Sequence, residues 1–178
     1  MTNLNDEKMA PALLLLKTTN PELRTDLIAR LLKFDHVVTC EAVDGDFDII
    51  ATIEPLSGVG LDHFVSSMVK PLPAVARTEL CRVDTLVDND HVPPNDNPIA
   101  ESYLFVEVDD SRFQTVFQAV SLLSATASCQ VAEPPCSLIV RMRGSNFDFL
   151  NKVVNEKIRP LPGVLRARQH RIIKLAGF

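Results

Sequence analysis

The chain repeats itself. Lys70-Pro-Leu-Pro-Ala-Val-Ala-Arg77 lies on Arg159-Pro-Leu-Pro-Gly-Val-Leu-Arg166 at an offset of 89 residues. The same offset carries Cys40 onto Cys129, Ile50 onto Ile139, Leu61 onto Leu150, Val65 onto Val154 and Arg82 onto Arg171. A chance match would not bring prolines, apolar stripes and charges along together. The 178 residues therefore divide into two related units, with one offset expected to serve from first strand to last without an insertion. Each unit is small, near the lower end of stable domain size, so the two should gain by packing on each other.

Within each unit the hydrophobic period changes in a fixed order. Ala12–Thr19 is apolar on successive residues, as in a strand covered on both faces. Asn20 and Pro21 suit a helix start, and Leu23, Leu27, Ile28, Leu31 and Phe34 form its stripe. Val37–Val43 and Phe47–Glu54 read as two strands joined at Asp44-Gly45, a dipeptide suited to a tight hairpin turn. Phe47, Ile49, Ala51 and Ile53 are expected on one face of the second strand. Leu61, Phe64, Val65 and Met68 mark a second helix, ended by Pro71 and Pro73, and Val75–Val87 is the last strand.

Ser102–Val108, Phe113–Leu123, Ser128–Ala132, Ser137–Met142 and Leu150–Ile158 repeat this series in the second unit. The order is β-α-β-β-α-β, a ferredoxin-like unit, twice. Helices cover one face of each sheet, and the doubly apolar strands leave the sister sheet to cover the other. The expected fold is α+β, two tandem ferredoxin-like repeats packed sheet to sheet as a pseudo-dimeric α/β barrel. Its parts are a flexible tail over 1–10, repeat one over 11–87, a linker over 88–100 and repeat two over 101–178.

Charge and cysteine usage exclude more than they assign. A net charge of -5 argues against a nucleic-acid surface. Residues 1–95 carry 8 basic and 15 acidic side chains, and residues 96–178 carry 10 and 8, so the positive charge gathers near the end. A solvated, mixed face is the stronger reading of that cluster, ahead of an anion site. No apolar run reaches a membrane span, and residues 1–9 lack the apolar centre of a secretory signal. The four cysteines show neither CxxC spacing nor paired histidine ligands, so neither a metal nor a redox dithiol is indicated. A cytoplasmic protein with reduced thiols is the expectation.

The run Val43-Asp-Gly-Asp-Phe-Asp-Ile-Ile-Ala-Thr-Ile-Glu54, then a helix, then Lys70-Pro-Leu-Pro-Ala-Val-Ala-Arg-Thr-Glu79, resembles the effector-binding domain of the Lrp/AsnC regulators. Gly45, Phe47 and Asp48 match that family's Gly-x-aromatic-Asp hairpin. Pro73, Val75 and Thr78 match its second motif, which Pro162, Gly163 and Val164 match again. The resemblance implies a stand-alone ligand-sensing or oligomerisation module that binds amino acids or similar small molecules, in a context of transcription regulation. Members that regulate transcription carry a helix-turn-helix ahead of this domain, and about ten residues precede the first strand here. Implied partners are a small-molecule effector, a second copy of the chain, or a regulator of the Lrp/AsnC type. Direct contact with nucleic acid or membrane is not expected. The alternatives are a partner-binding module that modulates a full-length regulator and, further off, a barrel enzyme.

Asp44, Gly45, Asp46, Phe47 and Asp48 are accordingly the candidate ligand-binding residues. The three carboxylates suit an ammonium group, and Gly45 would let a ligand approach bare backbone. A turn also needs glycine and solubilising acids whatever its function, and from the residues alone that reading is the stronger. A calcium loop does not fit, since the spacing runs straight into a buried strand. His36, His63, His91 and His170 are dispersed, with no nucleophile motif or phosphate loop near them. No catalytic residue, cofactor or metal is expected. In repeat two Pro134 and Ser137 stand where repeat one has Gly45 and Asp48, so any effector site is expected once per chain.

Overall fold

The computed structural model describes residues 11–54, 58–88, 100–134 and 136–175, so the expected tail and most of the expected linker lie outside the described residues. Repeat one runs β1 (Ala12–Thr18), α1 (Arg24–Leu31), β2 (Val37–Asp44), β3 (Ile49–Ile53), α2 (Gly58–Phe64) and β4 (Val75–Asp88). Repeat two runs β5 (Ala100–Val108), α3 (Phe113–Ser121), β6 (Thr126–Ala132), β7 (Leu138–Gly144), α4 (Phe147–Val153) and β8 (Val164–Ile173). These are the two ferredoxin-like units, and together they close one barrel in the strand order β1-β3-β2-β8-β5-β7-β6-β4.

Two seams join the repeats. At one, β2 pairs with β8 through Ala42↔Ile173, Val43↔Ile172 and Asp44↔Arg171. At the other, β4 pairs with β6 from Val83↔Ala132 to Asp88↔Ser128. Adding 89 to Val43 and Val83 gives Ala132 and Ile172, so the pairs Val43↔Ile172 and Val83↔Ala132 exchange under the repeat. That is the signature of a pseudo-twofold axis.

The described residues pack into three apolar clusters. Leu14, Leu16, Ile49, Ala51 and Ile53 meet Leu27, Ile28, Leu31 and Leu61 under the helices of repeat one. Leu104, Val106, Val140, Val116, Val120 and Leu150 do the same in repeat two. The third cluster is the barrel interior, where Leu13, Leu15, Phe47, Ile50 and Val83 meet Tyr103, Phe105, Ala132 and Ile139. Each fully buried large side chain there contributes about 1.5–3 kcal/mol, which ties the repeats together.

The register corrects the expected constant offset. Leu14 pairs with Ala51 and Leu80, while Leu104 pairs with Val140 and Gln169. The partners are 89 apart, but Leu14 and Leu104 are 90 apart. The extra residue lies at the end of β1. Thr19 gives its N–H to Ala74 and Asn20 caps the next turn, whereas Asp109 donates to Gly163 and caps by itself. A strand apolar on both faces hides such a slip, because no alternation marks which residue faces inward.

The second helix of each repeat widens in the same place. Val65–Val69 and Val154–Ile158 are single π-helical turns, with Lys70 N–H bonded to Val65 O and Arg159 N–H to Val154 O. The wider turn buries Val69 and Ile158 and leaves Met68 exposed, contrary to its place in the stripe. Leu23 is likewise outside the core, because the first turn of its helix is a tighter 3₁₀ turn over Pro21–Leu23.

Candidate functional site

The seams are not equally closed. β2 and β8 stay bonded only from Ala42 to Asp44, and where they part a cleft of 690 Å³ opens. That volume lies within the range of small-molecule sites. Ile28, Ala42, Phe147, Ile172, Ile173 and Leu175 form its apolar wall, and Asp44, Glu41, Glu101, Arg141, Arg171 and Lys174 its polar one.

Arg141 organises the polar wall. Its Nη2 lies 2.6 Å from Glu41 Oε1 and 2.7 Å from Glu101 Oε2, and its Nε reaches Glu101 Oε2 at 3.1 Å. Tyr103 donates its O–H to Glu41 Oε2 at 2.5 Å. Glu41 belongs to β2 of repeat one and the other three to repeat two, so the network clamps the seam beside the cleft. Burial opposes the Arg141 charge, but Tyr103 and the two carboxylates overcome it and hold the guanidinium firmly protonated. Burial, then the Glu41 charge, pushes the Tyr103 hydroxyl up, so it stays a donor. Arg141 has spent its donors inside the network. Arg171, whose guanidinium sits 5.3 Å from the Phe147 ring, and Lys174 have no carboxylate partner among the described residues.

The hairpin residues divide. Asp44 lines the cleft, and Gly45 lines an adjoining recess of 240 Å³ with Asn151, Gln169 and Arg171. Asp46 is exposed. Phe47 is fully buried in the barrel interior beside Ile50, off the face shared by Ile49, Ala51 and Ile53. Pulling Phe47 inward lengthens the connection to four residues, Gly45 to Asp48, where a two-residue turn is expected from Asp44-Gly45.

Asp48 is buried and occupied. Its Oδ2 accepts from the Thr18 N–H at 2.8 Å and the Thr18 hydroxyl at 2.9 Å, and its Oδ1 from Lys17 at 3.2 Å and Arg24 at 3.3 Å. Burial alone would raise its pKa, but the Thr18 bonds and the Lys17 charge hold the carboxyl below its ordinary range. In repeat two Ser137 Oγ accepts from Val108 N–H at 3.0 Å. Val108 is the counterpart of Thr18 and Ser137 of Asp48, so this anchor of the first strand survives the change of residue.

Gly45 has φ +143°, and a Cβ there would lie 2.7 Å from His170 Nδ1. His170 is buried against Phe47 and Phe105, and both its ring nitrogens lack hydrogen-bond partners among the described residues. Burial pushes its pKa down, against the attraction of Asp46 and Asp44, so the ring is neutral at pH 7. Glycine here is a matter of packing as well as of turn conformation.

Sequence reasoning did not single out Glu41, Glu101, Tyr103 or Arg141, and placed Arg171 only in the basic cluster near the end of the chain, where an anion site is the weaker reading. One signal was present: Arg141 interrupts the apolar run Leu138-Ile-Val-Arg-Met142. A cation in mid-strand needs a carboxylate partner, but the partners are 40 and 100 residues away.

Fold and cleft together define a pseudo-dimeric α/β barrel with a pocket at its β2–β8 seam. No protein-family model and no curated protein sequence matches the chain. Solved structures do. Siroheme decarboxylase NirDL, in complex with an iron-uroporphyrin III analogue, aligns with TM-score 0.73 and 12% identity over 96% of this chain and 74% of its own. A protein from Fusobacterium nucleatum provisionally assigned as a monooxygenase aligns with TM-score 0.51 and 10% identity, over 92% of this chain and 91% of its own. FFRP-DM1 aligns over 40% of this chain and 95% of its own, with 24% identity and TM-score 0.38. The NirDL likeness, which spans both repeats, is one of fold. No helix among the described residues is long and apolar enough to cross a membrane.

Proposed function

We propose that the chain is a ligand-sensing module akin to the effector-binding domain of Lrp/AsnC regulators, and that it takes an α-amino acid or a similar small zwitterion in the cleft between β2 and β8. One observation carries this reading: a single cleft sets Arg171 and Lys174, cations with no carboxylate partner among the described residues, and a carboxylate, Asp44, around an apolar wall. An amino-acid carboxylate would meet Arg171, its ammonium Asp44, and an apolar side chain Phe147 and Ile173. Of the hairpin, Asp44 and Gly45 stand at this mouth, while Phe47 and Asp48 support it from within.

Calorimetry against a panel of amino acids tests the reading. One site per chain is expected, favouring apolar side chains, with affinity about tenfold weaker in Arg171→Ala, equivalent to about 1.4 kcal/mol. No heat with any member of the panel, or two equal sites per chain, overturns it. A partner-binding role would show instead as co-purification of a helix-turn-helix regulator. An enzymatic role finds less support, because His170, the buried histidine, does not line the cleft.

A further inference from the structure

The second seam holds a different chemistry. Cys81 on β4 and Cys136 just before β7 are 55 residues apart in sequence, one from each repeat, and neither spacing nor neighbours pair them. The barrel brings them together: the two Sγ atoms and a Glu79 carboxylate oxygen lie within 4.8 Å of one another. Both thiols are free. Arg168 Nη2 lies 3.5 Å from Cys136 Sγ and 3.7 Å from Glu79 Oε1. This guanidinium donates a hydrogen bond to the Cys136 sulfur, which makes the two cysteines unequal. Cys136 is pulled down to about 7, first by the Cys81 thiol donating to it and then by Arg168 against the cost of burial, while Cys81 is pushed up. Arg168 already occupies the cation's place beside the sulfur and the carboxylate, which disfavours a metal ion there.

We propose that Cys81 and Cys136 form a peroxide-reactive dithiol whose disulfide ties β4 of repeat one to repeat two. The Cys136 thiolate attacks one oxygen of hydrogen peroxide, the O–O bond breaks, and the departing hydroxide takes up the proton lost from the thiol, leaving Cys136 as a sulfenic acid and one water. The Cys81 sulfur then attacks the Cys136 sulfur. The S–O bond breaks, the leaving hydroxide takes the Cys81 proton as a second water, and an S–S bond remains. Two thiols are oxidised and one peroxide is reduced to two waters. The sulfurs are buried, but Arg168 and Glu79 above them are 18% and 30% exposed, which gives a water-sized oxidant a short polar approach. Cys40, the least buried of the four thiols, is pushed up to about 12 by burial and by Glu41, so it is no competitor near neutral pH.

The test treats the full chain at pH 7.5 with an equimolar amount of hydrogen peroxide and counts thiols after denaturation. The count is expected to fall from four to two and to return on addition of dithiothreitol. Tryptic mapping should find the peptide holding Cys81 linked to the peptide holding Cys136, with fragmentation assigning the sulfur. In Cys81→Ser the reaction should stop at a dimedone-reactive sulfenic acid on Cys136. Arg168→Met should slow the first step about threefold at pH 7.5 if the Cys136 thiol pKa rises by one unit. The wild-type measurement stands even where a variant folds poorly. Four thiols surviving, a bridge to Cys40 or Cys129, or first oxidation at Cys40 would overturn the proposal. So would a cobalt(II)–thiolate charge-transfer band in wild type that Cys81→Ser abolishes, because the pair would then be a metal site.

Discussion

The two seams of this barrel began as the same surface and no longer do the same thing. Under the repeat, Phe47 and His170 at the β2–β8 seam correspond to Cys136 and Cys81 at the β4–β6 seam. One pair is an aromatic ring against a neutral imidazole, with ring centroids 6.1 Å apart. The other is a pair of thiols beside a guanidinium. Glu41 and Arg141, which clamp the open seam, correspond to Gln130 and Thr52, which carry no charge. In a dimer of identical chains neither substitution could be confined to one seam, since every change appears twice. Duplication removes that constraint. One seam could then part into a cleft, while the other stayed bonded through Asp88 and held the closure.

The comparison breaks most visibly at Arg141. Arg141→Met would leave the half-buried Glu41 without its counter-ion and Glu101 with Arg143 alone, 3.3 Å away, and equilibrium urea unfolding should show a loss of about 3 kcal/mol. Its counterpart change, Thr52→Val, should stay within about 1 kcal/mol. Equal losses would mean the clamp is not what distinguishes the seams.

Gly45 and Pro134 sharpen the contrast at the turns. Gly45→Ala puts a Cβ 2.7 Å from His170 Nδ1 in a backbone conformation that side chains rarely adopt, and should cost about 2 kcal/mol. Pro134→Ala, at an exposed turn, should change stability by about 0.5 kcal/mol or less. Thermal denaturation of the two variants side by side decides the matter.

The smallest contrast lies between Asp48 and Ser137, which hold equivalent N–H groups with and without a charge. Asp48→Asn should cost about 1–2 kcal/mol at pH 7, and Ser137→Ala about 1 kcal/mol. The difference is in the pH dependence. The Asp48 carboxyl has its folded pKa depressed from an unfolded value of about 3.9. Its stabilisation is therefore complete above that value and lost as pH falls through the folded one. The gap between wild type and Asp48→Asn should close below about pH 4, while that for Ser137→Ala stays level. A pH-independent gap for both would show that the Asp48 charge adds nothing to its hydrogen bonds.

The sequence by itself determined the repeat, the order of strands and helices, and the need for two sheets to face each other. Those follow from local facts: the period of apolar residues, the caps at Asn20 and Asp109, and prolines that end helices. Tertiary structure decided what happens where distant segments meet. The one-residue slip in β1 was invisible because Leu13 to Leu16 are apolar on every position, and only pairing with β3 and β4 fixes which of them faces inward. Phe47 looked like a continuation of its strand until the barrel interior drew it to the opposite face. Asp48 looked available to a ligand, yet Thr18, Lys17 and Arg24, 24 to 31 residues away, had already claimed its oxygens. The cleft exists because β2 and β8 part beyond Ala42, and the thiol pair because closure brings β4 beside the β6–β7 loop. Local chemistry sets what each segment forms, but a site made of segments up to 100 residues apart is set by how the barrel closes.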